Sequence, residues 1–180
     1  LKETWDDRVL RAAQLAVDEG LARPILIGRP AVIEARIKKA GLHLRTGIDA
    51  DIVDPENDSR FRTYWEAYHK LMGRRGITPE ASKAMVRRSN TTIAALMVHL
   101  GDADAMLCGL VGRFDSHLKI LGQLLGSKRG SPGFAALNAL TLDRGTLFIA
   151  DTHVNEDPSA EMLAHIALMA AEEVRRFGLP

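Results

Sequence analysis

In RPILIGRP, Arg23 to Pro30, three aliphatic residues stand between a proline and a glycine. The run Pro24 to Ile27 predicts a short buried strand closed by Gly28. The residues on either side follow a helical period instead. Upstream, Val9, Leu10, Ala13, Ala16 and Val17 form an apolar stripe within a helix expected over 4–19. Thr4 is its expected cap, Asp6 and Asp7 favour its first turn, and Gly20 ends it. Downstream, Ala31 to Ala40 repeats an amphipathic pattern and stops at Gly41. Helix, strand, helix in this order is the pattern of an α/β protein.

The same alternation continues along the chain. Asp51 to Val53 is a second strand candidate, ending at Asp54-Pro55. A helix opening at Asp58 or Ser59 carries four aromatics, Phe61, Tyr64, Trp65 and Tyr68, and stops at Gly73 and Gly76. That exceeds what one helix face buries, so part of it is expected at an interface. Thr78-Pro79-Glu80 is a helix start, with a cap followed by proline at the first helical position. Ser89 or Asn90 opens the next helix, stopped by Gly101. A strand is expected at Ala105–Cys108, a helix at Leu118–Leu125 and a loop at Lys128–Gly133. Ala135–Leu142 and Thr146–Ala150, joined by Asp143-Arg144-Gly145, predict a hairpin. A last helix is expected to be capped by Asp157, with Pro158 at its first position and Met162, Ile166, Met169, Ala170 and Val174 on one face. Gly178 ends it.

The expected organisation is a first α/β/α lobe over 1–130 and the start of a second over 131–180. An α/β alternation that stops after a helix calls for a further strand, so sequence beyond both ends is expected.

Composition narrows the function classes. A chain of 180 residues with 46% hydrophobic and 26% charged residues can bury a core and solvate its surface. A net charge of +1 gives nucleic acid little to bind. No apolar stretch approaches membrane-span length, and LKETWDDRVL does not read as a signal peptide. The single cysteine, Cys108, forms no internal disulfide, which fits a reducing cytoplasm; in its apolar run it reads as a small core residue.

Open α/β sheets bind ligands beyond the carboxyl ends of their strands. Two such ends carry polar groups. One holds Arg113, Asp115, Ser116 and His117. The other holds Asp151, Thr152, His153 and Asn155, and Asn138 lies in the strand before it. If the strands are neighbours, both sets face one crevice and suit an anionic ligand with amide or hydroxyl groups. Plainer readings stand beside these: Asp151-Thr152 as a turn and cap, Arg113 with Asp115 as a surface pair. Asp151 and His153 are two donors, too few for a metal site, so none is expected. Ser116 beside His117 is no catalytic triad.

Five ordered blocks carry a family resemblance: DDRVLRAA (6–13), PILIGRP (24–30), DIVDPENDSRF (51–61), LGDADAMLCG (100–109) and ADTHVNEDPSAEMLAHIALMAAEEVRRFG (150–178). The chain resembles the phosphate acetyl/butyryl transferase family over nearly all its length. The resemblance implies α/β/α lobes with a mostly parallel sheet, of the phosphotransacetylase or isocitrate/isopropylmalate dehydrogenase type, usually dimeric. It also implies an acyl-CoA ligand. Active members move acetyl between CoA and inorganic phosphate. They typically place a small hydroxyl-rich segment where this chain has Arg113-Phe114-Asp115-Ser116-His117. CGLVGRFDSHL, FAALNALTL, ADTHV and YWEAYHKLMGRRGITPEASKAMVR are closer to the carboxyl-terminal domain of bacterial hybrid malic enzymes. That resemblance implies a non-catalytic domain sensing acetyl-CoA, fused to an amino-terminal enzyme domain that uses NADP and a divalent metal to turn malate into pyruvate. An active phosphate acetyltransferase and a purely structural dimerisation domain are the alternatives.

Overall fold

The computed structural model describes residues 6–127 and 133–178. The chain divides into two compact units, Leu1–Gly126 and Ser127–Pro180.

The first unit is built on a small parallel sheet. β1 (Ile25–Ile27) pairs with β2 (Asp51–Val53) in the register Ile25↔Asp51, Leu26↔Ile52, Ile27↔Val53. Side chains alternate across a strand, so the two strands feed two cores. Leu26 joins Leu10, Ala13, Ile33, Ile37, Leu44 and Ala50, with Ile52 against them. This core lies under α1 (Asp7–Asp18) and α2 (Pro30–Lys39). Ile27 and Val53 join the opposite core with Tyr64, Tyr68, Met72, Val86, Ile93, Leu96, Met97 and Leu124. Those residues come from α3 (Phe61–Met72), α4 (Pro79–Arg88), α5 (Asn90–Leu100) and α6 (Phe114–Leu124). Helices thus cover both faces of the sheet, the layering expected of a parallel pair. Fully burying one such aliphatic or aromatic side chain contributes about 1.5–3 kcal/mol.

Local signals set most helix ends. Thr78 and Ser89 accept bonds from Ala81 N and Thr92 N, capping α4 and α5. α1 is capped by Asp6, which accepts from Arg8 N; the expected cap, Thr4, lies outside the described residues. α5 is buried along most of its length, and Gly101 closes it at φ +81°.

The aromatic helix divides its rings between two faces. Tyr64 and Tyr68 are buried in the core, and Phe61 and Trp65 are half-buried beneath Arg87 and Lys83 of α4. α4 thus lays cation stems over the second aromatic face, which stays partly exposed.

The segment Ala105–Cys108 is not a strand. Met106 packs on the core, Leu107 points outward fully exposed, and Cys108 is exposed instead of buried. A four-residue apolar run between Asp104 and Gly109 does not distinguish a buried strand from an extended connection. Gly109 and Gly112, at φ +104° and +106°, then turn the chain into α6.

In the second unit, β3 (Leu137–Leu142) and β4 (Gly145–Ala150) form the expected antiparallel hairpin, with Leu140 opposite Leu147. α7 (Ala160–Arg176) follows, and Phe177 just beyond it meets Phe148 of β4 at 5.4 Å. Its cap is Ser159, which accepts from Met162 N, in place of the expected Asp157. Pro158 therefore lies before the helix. The other hairpin face shows Leu140, Leu142, Leu147 and Ile149, each 41–57% exposed. The expected loop at Lys128–Gly133 lies, through residue 132, outside the described residues. No helix among the described residues is long and apolar enough to cross a membrane.

Candidate functional site

Each polar set that the sequence singled out is held by its own unit. In the first unit, the ends of β1 and α5 meet. Asn90 Nδ2 donates to Ile27 O at 2.8 Å, and Gly28 N donates to Val53 O at 2.9 Å. This anchors the start of α5 at the carboxyl end of the sheet. Four consecutive polar residues, Ser89 to Thr92, open that helix. Thr92 is buried and its hydroxyl donates to Ser89 Oγ at 2.8 Å.

Residues 113–117 are not a turn after a strand. Arg113 is the N-cap of α6, and Phe114 to His117 form its first turn, four residues earlier than expected. The cap has no side-chain bond, so the sequence carries no capping signature there. The turn is fixed from outside the helix. His117 Nε2 lies 3.0 Å from Val111 O and His117 Nδ1 lies 2.9 Å from Thr91 Oγ1. A carbonyl only accepts, so Nε2 carries the proton and Nδ1 accepts from the Thr91 hydroxyl. Both ring nitrogens are committed to holding the glycine turn against α5. Gly112 is part of the fit: a Cβ there would stand 3.0 Å from His117 Nε2.

Arg113 and Asp115 form a bidentate pair at 3.0 Å, with side chains 82% and 64% exposed. The guanidinium lowers the Asp115 pKa below the usual carboxylate range, and the carboxylate raises that of Arg113. Exposure makes this pair worth little to stability. The plainer reading, a surface pair, describes its geometry. Ser116 is exposed, with its N–H donating to Arg113 O.

In the second unit, Asp151 is a hub. Its carboxylate accepts from Ala136 N at 2.8 Å, Val154 N at 3.3 Å and Asn155 N at 2.9 Å, and from the Asn155 amide. Asn155 Nδ2 also donates to Phe134 O at 3.0 Å. Desolvation pushes the Asp151 pKa up, but these donors together outweigh it and hold it below the ordinary value. Asp151 and Asn155 thus bind the 151–155 loop to the start of the hairpin. Thr152, His153 and Asn138 form an exposed chain. Thr152 Oγ1 donates to Asn138 Oδ1 at 2.7 Å, so His153 Nδ1, also at 2.7 Å, donates to Thr152.

Sequence reasoning missed Thr91, Gly112 and the Val111 carbonyl, and the backbone partners at Phe134 and Ala136. The polar run Ser89–Thr92 heading an apolar helix was the available signal for Thr91. Two surface depressions of about 440 and 390 Å³ lie elsewhere, around residues 42–49. Most of their polar wall is already paired: Arg45 with Asp49 at 2.8 Å, Thr46 with Glu34 at 3.3 Å, and Gln14 with Asp18, His43 N and His43 Nε2. Among the described residues, no three His, Cys, Asp or Glu side chains gather to hold a metal ion.

Comparison with known proteins places this geometry. The family model for phosphate acetyl/butaryl transferase matches residues 1–180. The NADP-dependent malic enzyme of Salmonella typhimurium is 50% identical over 99% of the chain, which spans 24% of that enzyme. The NAD-dependent malic enzyme of Rhizobium meliloti is 48% identical over 98% of the chain, covering 23% of its own length. A phosphate acetyltransferase of Nitratidesulfovibrio vulgaris is 32% identical over 99% of the chain and 25% of its own length. The chain therefore spans about a quarter of these relatives. Among solved structures, EutD phosphotransacetylase from Staphylococcus aureus matches with a TM-score of 0.88 at 19% identity, over 98% of this chain and 52% of that one. The fold is that of a phosphotransacetylase.

Proposed function

Since the chain belongs to the phosphate acetyl/butaryl transferase family, we propose that it is an acetyl-CoA-sensing regulatory and oligomerisation domain of a bacterial NADP-dependent malic enzyme. The observation that carries this reading is the engagement of His117. Its two ring nitrogens already hold internal bonds to Val111 O and Thr91 Oγ1, so in this reading it serves as scaffold and not as acid–base machinery. Identity of 48–50% to malic enzymes, against 32% to a phosphate acetyltransferase, supports the same assignment.

In this reading the exposed polar groups of each unit are candidate acyl-CoA contacts, Arg113 and Ser116 in the first and Asn138, Thr152 and His153 in the second. His117, Asp151 and Asn155 hold the turns that present them. Oxidative decarboxylation of malate to pyruvate, with NADP and a divalent metal, belongs to the amino-terminal domain fused in cis. Acetyl-CoA regulates that reaction to the extent that it binds one conformation of the whole better than another.

Two assays on the full-length protein test this. Malate-dependent NADP reduction is measured with and without acetyl-CoA, and CoA release is measured with acetyl-CoA and inorganic phosphate. A shift in malate kinetics without CoA release is the expected result. Steady CoA release overturns it in favour of a working phosphate acetyltransferase. Neither effect, with no heat on titrating acetyl-CoA, leaves the structural dimerisation domain.

A further inference from the structure

The outward side of α7 is apolar, and the candidate site does not use it. Ten consecutive residues, Met162 to Ala171, hold one polar side chain, His165. A helix that is apolar around most of its circumference is a helix covered on more than one side. One side is accounted for within the second unit: Ile166 is buried, and α7 packs on β4. Leu168 lies two residues on, about 200° around the helix from Ile166, and is 69% exposed. Ala164 and Ala167 beside it are exposed, and Leu163 at the flank is 53% exposed.

In a layered α/β fold a helix buries one stripe on its sheet and turns the other away from the layer. The cover for the outward stripe of α7 therefore comes from outside the unit. The ends of the stripe point to its identity. Glu161 and Arg175 stand seven residues before and after Leu168, so all three share one face, and both charged groups are exposed. An acid in the first turn and a base in the last suit the helix's own dipole. The same order is self-complementary. Turned about a two-fold axis at Leu168, a second α7 runs antiparallel and sets its base beside Glu161 and its acid beside Arg175. The two dipoles then oppose each other, and the alanines let the helices approach closely.

We propose that the outward face of α7 pairs with the same face of a second copy of this chain, in an antiparallel two-fold contact centred on Leu168. The inference rests on the oligomerisation part of the proposed function and deepens it. Its test contains no acetyl-CoA, so a failure of ligand sensing and a failure of pairing are read separately. Two-fold pairs are the commonest closed assembly, and each copy offers the same patch. An unlike partner would need an acid and a base of its own at the matching spacing; a second copy already carries them.

The test uses the full-length protein. Leu168→Glu is expected to lower the mass found by sedimentation equilibrium to fewer copies while circular dichroism holds, because the native side chain is exposed in the single chain. Glu161→Arg and Arg175→Glu are each expected to weaken association about tenfold, by setting like charges together at both ends of the pair. Their combination is expected to restore it. The two positions lie about 21 Å apart along one helix, so no contact within a single chain gives that rescue. Leu168→Cys is expected to form a disulfide-linked dimer under air oxidation, and Arg144→Cys, on the exposed hairpin turn, is not. Unchanged mass for Leu168→Glu, with no linked dimer from Leu168→Cys, overturns the proposal. So does a Leu168→Glu protein that loses its circular dichroism while Leu168→Cys gives no linked dimer, which assigns the face to other residues of the same chain.

Discussion

His117 and Thr91 stand 26 residues apart in the chain, and their 2.9 Å hydrogen bond fixes the start of α6 against the start of α5. The Val111 carbonyl on the other ring nitrogen extends this tie to the glycine turn. One imidazole thus organises the segment between two helices.

Replacing His117 by Ala is expected to destabilise the chain by about 1–3 kcal/mol, the cost of leaving the buried Thr91 hydroxyl without its partner. Thr91→Val together with His117→Leu should cost less than the sum of the single changes, since both polar groups leave together. Urea midpoints of the four proteins measure this. Strict additivity would contradict the pairing.

Gly112→Ala and Gly109→Ala separate backbone strain from steric contact. Both glycines hold a positive φ, but a Cβ meets His117 only at Gly112; at Gly109 nothing lies within 4 Å. Each change should cost about 1–3 kcal/mol of strain, with Gly112→Ala the larger. The excess should shrink when Gly112→Ala is combined with His117→Ala. Thermal melts at matched concentration report the difference.

Acid should weaken the fold through its paired carboxylates. Asp6 and Asp49 are held down to about 2, by Arg8 and Arg45. Asp51, Asp58, Asp115 and Asp151 are lowered too. A group whose folded pKa is lowered stabilises above its unfolded pKa and loses that contribution as pH falls through the folded one. Stability should be flat above about pH 5 and fall toward pH 2. Asp151→Asn should flatten part of that descent while lowering the plateau. Circular dichroism against pH checks both.

Tyr64 gives the opposite limb. Burial raises its pKa first, and its hydrogen bond to Asp102 at 2.9 Å raises it further. A phenol raised in the folded state stays protonated after the unfolded one ionises. Stability should therefore drop as pH rises past about 10. Tyr64→Phe should cost about 1 kcal/mol at neutral pH and weaken that alkaline decline. An unchanged alkaline profile would remove Tyr64 from the account.

The elements that could be read from sequence are those with local causes. Thr78-Pro79 and Ser89 cap α4 and α5 as expected, and β2 falls on Asp51–Val53 as expected. The elements misread depend on partners distant in sequence. α6 starts at Phe114 without a capping side chain, so its first turn looked like a loop. Cys108 looked buried because an apolar run says nothing about what lies across from it. Asp157 and Ser159 both suit a helix start, and only geometry separates them. The candidate residues were visible as polar groups after apolar runs. Their division into scaffold and exposed groups was not, because Asp151 takes its donors from residues 136, 154 and 155, and His117 from residue 91.

Leu26 and Ile27 are consecutive residues whose side chains enter separate cores. Methyl groups labelled at these two positions would therefore sense different neighbourhoods across a single peptide bond. A perturbation that reaches one and spares the other would reveal which side of the sheet a signal travels along.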